Sequence, residues 1–356
     1  MHIKSTNKPH QASSAVRFSF LLCAAVTLSL PLEQANGQEI RVVTTLPTYA
    51  AITREIAGDR ALVEAIARGD EDPHFVNPRP SYAAKIQRAD MFVATGLDLE
   101  LWVPAVLNRA NNAKVTDGSP GNVVAYAGVT LLDVPENVSR SGGDVHVFGN
   151  PHIHTDPING IQIARNICAG LKRIDPDGAS TYDENLAAFE QRLMVRLYGQ
   201  QIIEMLGAET ILQLAKNHEF WSFAETQQYQ GHPLSEFVGG WMADALAFRG
   251  KRLVCYHKNW TYFNARFGVE CAMYVEPQPG MPPSPGHVRD VIDFIESEGI
   301  TVLFAANYFS RSQVEQVGSR TGAQTVIVPE HVEGEAGVDD YFSLVNMWVT
   351  RLAAAF

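Results

Sequence analysis

The sequence predicts an α/β protein: two α/β lobes with mostly parallel sheets, joined by one long rigid helix, with a metal site in the cleft between them. Three observations carry this. Short β-branched runs alternate with amphipathic helical runs in both halves of the chain, the pattern of parallel βα units. One polar-apolar run of about 25 residues, 181–206, is interrupted by a single glycine and by no proline. Histidines stand at or just past the ends of predicted strands, where open α/β sheets gather their ligands.

The chain has 356 residues, 46% hydrophobic and 19% charged, enough for two domains of about 150 residues each. Lys4, Lys8 and Arg17 precede the apolar run FSFLLCAAVTLSLPL, and Ala35-Asn36-Gly37 follows with small residues flanking a cut. Residues 1–37 therefore read as a secretory signal, too short in its apolar part for a bilayer span, and Cys23 lies inside that run with no lipobox before it. The full chain carries a net charge of −11; removing three basic residues and Glu33 with the signal leaves −13. So acidic an exported product argues against nucleic acid and anionic lipid as partners and favours cations. Cys168, Cys255 and Cys271 then remain, too few for a disulfide framework; each reads as a free buried cysteine, with Cys255–Cys271 the one available pair.

In order, EIRVVTTLP (39–47) reads as a strand, TYAAITREIAG as a helix stopped by Gly58, and ALVEAIA (61–67) as a second strand. The polar loop RGDEDPHFVNPRP carries His74. A helix over 81–88, the strand DMFVATG, a helix over 99–107 and strand material in VVAYAGVTLL complete the first lobe, residues 38–176. The Gly- and Ser-rich stretch 135–148 reads as a mobile loop bearing His146. GNPHIHTDP (149–157) sets His152 and His154 between Pro151 and Pro157, ahead of a helix over 157–173. Asp177 or Ser180 then caps the linking helix, residues 177–206, which at 25 residues would extend about 38 Å. The second lobe, 207–356, begins with the irregular aromatic-rich stretch 207–248. Strands KRLVCYH, ECAMYV, ITVLFAAN and AQTVIVPE follow, alternating with helices WTYFNARF, PGHVRDVIDFIESEG and RSQVEQVGSRTG, and the helix from 338 closes the chain.

Neutral imidazoles held at fixed angles are what a divalent cation needs, and His74, His152 and His257 lie on loops of two lobes. We read them, with one carboxylate, as closing around one ion for capture and carriage. The chain has no HExxH, GxSxG or GxxxxGK[ST] motif, so the signatures of a secreted zinc hydrolase are missing. Trp260, Tyr262 and Phe263 read as packing that holds the His257 loop; His218, His232 and His287 receive no role.

DPH at 72–74 with PSYAAKIQRADMFVATGLDLELW after it, NPHIHTDP at 150–157 and YHKNWTYF at 256–263 resemble the histidine motifs of one family. It is the zinc and manganese solute-binding proteins of ABC transporters, the cluster A-I or ZnuA/TroA-like family, and the resemblance covers nearly the whole mature chain. It implies a periplasmic, monomeric carrier that hands its metal to an ABC permease, with a periplasmic metallochaperone as a further partner. It places His74, His152 and His257 at the first three ligand positions. The fourth falls in VPEHVEGEAG, where Glu330 fits best, then His331, then Asp339. The family has an aromatic where His154 stands, so His154 competes with His152 or forms an auxiliary site with His146. The 207–248 stretch reads as an insertion relative to shorter members. Three imidazoles and a carboxylate suit tetrahedral Zn²⁺, whereas Mn²⁺ prefers more oxygen donors. A surface adhesin is the remaining alternative.

Overall fold

The computed structural model describes residues 39–135, 146–276 and 280–356. The signal segment with Cys23, and residues 136–145 of the loop before His146, lie outside them. Two four-stranded parallel sheets organise the rest. In the first, β1 (Ile40–Thr44), β2 (Ala61–Ala65), β3 (Met91–Ala94) and β4 (Asn122–Val124) run in the order β2-β1-β3-β4. A two-residue antiparallel hairpin, β5 (Gln228–Tyr229) and β6 (His232–Pro233), separates them in sequence. In the second sheet, β7 (Arg252–Cys255), β8 (Glu270–Tyr274), β9 (Val302–Ala306) and β10 (Gln324–Val328) run as β8-β7-β9-β10. The two sheets thus share one order, second-first-third-fourth. Each has a switch point beside its first strand, where loops at the carboxyl ends diverge and leave a crevice.

The elements follow local chemistry. α1 (Pro47–Ala57) opens on a proline, which suits the first turn of a helix, and stops at Gly58 with φ 55°. α2 (Pro80–Gln87) starts the same way. α3 spans Val103–Ala110, later than the 99–107 of the sequence reading, because Pro104 marks its first turn while Leu97 and Asp98 sit at positive φ. Buried Glu100, in the intervening turn, accepts from Thr45 Oγ1 at 2.7 Å and from the Thr95 amide at 3.0 Å. Of VVAYAGVTLL only the first two residues pair in β4. α4 (Pro157–Ile174) is capped by Asp156, whose carboxylate accepts from the Ile158 amide at 2.9 Å.

The long helix is shorter than expected. α5 covers Ala179–Tyr198, 20 residues or about 30 Å, and no side chain caps its start. It ends at Gly199 (φ 90°), where a Cβ would stand 2.7 Å from the Gly239 Cα, so two backbones touch there and the helix cannot continue. α6 (Gln200–Leu206) and α7 (Ala208–Lys216) restart in new directions. The irregular stretch then holds α8 (Phe220–Thr226), the hairpin and α9 (Gly240–Asp244). α10 (Thr261–Phe267), α11 (Pro285–Glu298), α12 (Arg311–Thr321) and α13 (Tyr341–Ala353) alternate with the second set of strands. Asp340 and Ser343 form a reciprocal capping box on α13.

One hydrophobic core runs through both sheets, from Val42 and Phe92 to Phe304 and Trp348; a smaller one lies under α11 and α12. The cysteine expectation is corrected: Cys255 and Cys271 form a disulfide between β7 and β8, Cα atoms 5.5 Å apart, and Cys168 alone is free among the described residues. Parallel neighbours bring the two cysteines within bonding reach although sixteen positions separate them. Among the described residues no helix is long and apolar enough to cross a membrane.

Candidate metal centre

Four imidazoles meet where the strand-end loops converge. His74 follows β2, in a 3₁₀ turn over Pro73–Phe75 pinned by Trp102 Nε1 donating to the Pro73 carbonyl at 2.9 Å. Asp72 accepts from the His74 amide at 3.0 Å and from its Nδ1 at 2.7 Å. A carboxylate only accepts, so Nδ1 carries the proton and Nε2 the lone pair. That Nε2 lies 3.3 Å from Nε2 of His146. The rings of His74 and His146 stack with centroids 5.2 Å apart.

His152 follows β4. Asn150 accepts from the His152 amide at 3.0 Å and donates to the Lys258 carbonyl at 2.8 Å and Thr261 Oγ1 at 3.0 Å, while Tyr262 donates to the Asn150 carbonyl at 2.7 Å. One asparagine therefore joins the NPH turn to the start of α10. His152 Nδ1 meets Glu330 Oε1 at 2.7 Å, and its Nε2 is buried with no hydrogen-bond partner. The centroids of His74 and His152 are 5.3 Å apart.

His257 stands two residues past β7. Its Nδ1 donates to the Glu276 carbonyl, beyond β8, at 2.9 Å, and its Nε2 is likewise buried without a partner. Its centroid lies 6.2 Å from that of His74 and 6.3 Å from that of His152. Three rings thus have Nδ1 fixed by an oxygen, which directs Nε2 lone pairs inward, the arrangement metal-binding histidines use. Burial lowers His257 from the ordinary histidine value to about 4, and burial with the rings of His152, His74 and His257 lowers His146 to about 2. Both imidazoles are neutral and ready to donate at neutral pH.

Glu330 follows β10 and is not among these nitrogens. Its Oε1 is taken by His152 and its Oε2 receives Asn259 Nδ2 at 2.6 Å and the Tyr308 hydroxyl. Burial opposes its ionisation, but His152, His331 and His154 outweigh that and hold its carboxyl well below the usual carboxylate range. His154 and His331 stack behind it, centroids 4.8 Å apart and fully buried. His154 Nε2 donates to the Glu330 carbonyl at 3.2 Å, and His331 Nδ1 meets Thr48 Oγ1 at 3.3 Å. Burial keeps His154 neutral down to about 3 and His331 down to about 4.

The loops therefore bring together His74, His152 and His257, and add His146. Asp339 is exposed and apart. His232 pairs with Glu236 at 3.1 Å and His287 with the Tyr274 carbonyl at 2.9 Å, and neither bonds to a ring of the cluster. Trp260 packs on Phe304 and Trp348 beneath the His257 loop, with centroids 4.3 and 5.6 Å away. Sequence reasoning missed Asp72, Asn259 and Tyr308. Of these only Asp72 left a local signal, by directly preceding Pro73-His74.

Comparison with known proteins agrees with this architecture. The chain is 29% identical to the iron-binding protein YfeA of Yersinia pestis, over 99% of both chains. It is 24% identical to the high-affinity zinc uptake system protein ZnuA of Paracoccus denitrificans, over 92% of this chain and 94% of that one. It is 22% identical to the zinc-binding lipoprotein AdcA of Streptococcus pneumoniae, whose length it spans by about half, 53%. A zinc-bound ZnuA structure lacking residues 138–173 of its own chain superposes with a TM-score of 0.64 at 20% identity, covering 89% of this chain and 98% of the other. The laminin-binding adhesin Lmb of Streptococcus agalactiae gives 0.64 at 22% identity, over 89% and 99%; at such identities the likeness concerns the fold. The family model described as "Zinc-uptake complex component A periplasmic" matches residues 42–205 and 237–355, so well over half of this chain lies inside the match and the chain belongs to the ZnuA family.

Proposed function

We propose that this protein captures a divalent metal ion, zinc foremost, outside the cytoplasm and delivers it to an ABC permease. The observation that carries the reading is a pair of orphaned donors: Nε2 of His152 and of His257 are buried without partners, beside two more imidazoles. A buried polar nitrogen left unpaired costs about 1–3 kcal/mol, and a shared cation removes that cost. Nitrogens 2.0–2.1 Å from one tetrahedral ion stand about 3.3–3.4 Å apart, the spacing found between His74 and His146.

Relatives carry the names of iron-, zinc- and manganese-binding proteins. The nitrogen-rich donor set here favours zinc over manganese. Residues 1–37 act as the export signal, and the linking helix and the lobe boundaries near residues 176 and 207 are part of the same reading. The 207–248 stretch is an insertion in this reading, which is supported by the family match passing over residues 206–236. The chain works as a carrier with no catalytic step. Metal analysis of the purified protein, with zinc titrations of the wild type and of His74→Ala, His152→Ala and His257→Ala, tests this. One tight equivalent is expected in the wild type, weakened at least 100-fold in each variant; undiminished binding in all three refutes it.

A further inference from the structure

We propose that the ion is held by four imidazole nitrogens, with His146 supplying the fourth, and that Glu330 is a positioning residue behind His152. This rests on the metal-capture reading and departs from the expected ligand set of three histidines and Glu330.

Glu330 Oε1 lies 2.7 Å from His152 Nδ1, and an ion bound at Nε2 lies on the other side of the same ring. The two lone-pair directions of an imidazole diverge by about 144°, so an ion 2.1 Å from Nε2 stands about 6–7 Å from that oxygen, three times a coordination bond. The second oxygen offers no way round. Oε2 already accepts from Asn259 and Tyr308, and the whole side chain is sealed from solvent. Moving Glu330 onto the ion would break three hydrogen bonds and leave His152 Nδ1–H buried without an acceptor.

The vacated role falls to His146. Its Nε2 is 3.3 Å from that of His74, and donor atoms of His74, His146 and His152 all lie within 4.8 Å of one another. Its ring centroid is 6.2 Å from that of His152. The resulting charge pattern is coherent: four neutral donors surround the ion, and the carboxylates of Asp72 and Glu330 stand one ring behind it, at His74 and His152. Each fixes its imidazole's tautomer and strengthens the nitrogen as a donor, an effect worth 10–100-fold in metal affinity.

X-ray absorption at the zinc edge on the full chain, with zinc titrations, tests this in the wild type, His146→Ala, Glu330→Gln and Glu330→Asp. The expected wild-type shell is four imidazoles and no carboxylate. His146→Ala should fall to three imidazoles, while both Glu330 variants should keep four and lose about 10–100-fold in affinity. A carboxylate oxygen in the wild-type shell that disappears in Glu330→Gln, with His146→Ala unchanged, would overturn the assignment without touching the capture reading. A wild type that binds no stoichiometric zinc would overturn both. The wild-type spectrum needs no variant to fold.

Discussion

Glu330 Oε1 and His152 Nδ1 lie 2.7 Å apart across 178 positions of sequence, and neither side chain reaches solvent. A contact of that kind, between the loop after β10 and the loop after β4, ties the two sheets together at the candidate metal centre. It also couples the fit of one imidazole to a buried hydrogen-bond network.

Tyr308 and Asn259 complete that network. Tyr308→Phe removes one donor to Glu330 and leaves every imidazole in place. Zinc titration should show an unchanged equivalent with affinity reduced about 10-fold, the low end of what an outer partner contributes.

Gly69, on the loop after β2 that carries His74, touches the loop after β10 backbone to backbone. A Cβ there would stand 2.2 Å from the Gly334 nitrogen and 2.3 Å from the Val332 carbonyl oxygen, and no side chain can move to make room. Gly69→Ala should push the Glu330–His331 loop away from the His74 loop, lowering stability by about 1–3 kcal/mol and weakening zinc binding together. Denaturant melts and a metal titration on one preparation read both; wild-type values in either would contradict this.

Asp156 and Arg266 form a buried bidentate pair, both contacts at 2.8 Å, joining the start of α4 to α10. Asp156→Ala strands a buried guanidinium and uncaps a helix, and should cost about 3–5 kcal/mol in urea unfolding. A loss below 1 kcal/mol would show that water reaches Arg266.

The Cys255–Cys271 disulfide closes a loop with a sequence separation of 16, for which chain entropy gives about 3 kcal/mol. Replacing both cysteines by serine should lower stability by that order and loosen the strands that lead to His257 and Glu276. Thiol counting under denaturing conditions checks the pairing first: one free thiol is expected from the described cysteines.

Acid should destabilise the metal-free protein. Burial lowers His257 and His331 to about 4 and His154 to about 3, whereas the same rings in the unfolded chain titrate near 6.5. Between those values the unfolded chain binds more protons, so this stability is full above about pH 6.5 and drains away as pH falls toward 4. Calorimetry from pH 7.5 to 4.5 should show a falling Tm; a flat profile would mean these rings are solvated.

Most of the fold was legible because each strand and helix carries its own local signal: β-branched runs for β1 and β10, Pro157 opening α4, glycines closing α1 and α11. The break at Gly199 was not, since a lone glycine in a helical pattern is tolerated unless another backbone, here Gly239, presses against it. His74, His152 and His257 were legible from motifs at strand ends. The placement of Glu330 against His152 Nδ1 was not, because no local pattern says which side of an imidazole a distant carboxylate meets. Asn259 and Tyr308 reach Glu330 from other loops, 71 and 22 positions away, beyond any local pattern.

The groups that define the centre all lie on loops after β2, β4, β7 and β10, while both sheets keep the same strand order. Scaffold and candidate donors are therefore separable. Exchanging a handful of loop residues changes the donor set while the strands beneath stay untouched, which gives such a chain room to diversify without refounding its architecture.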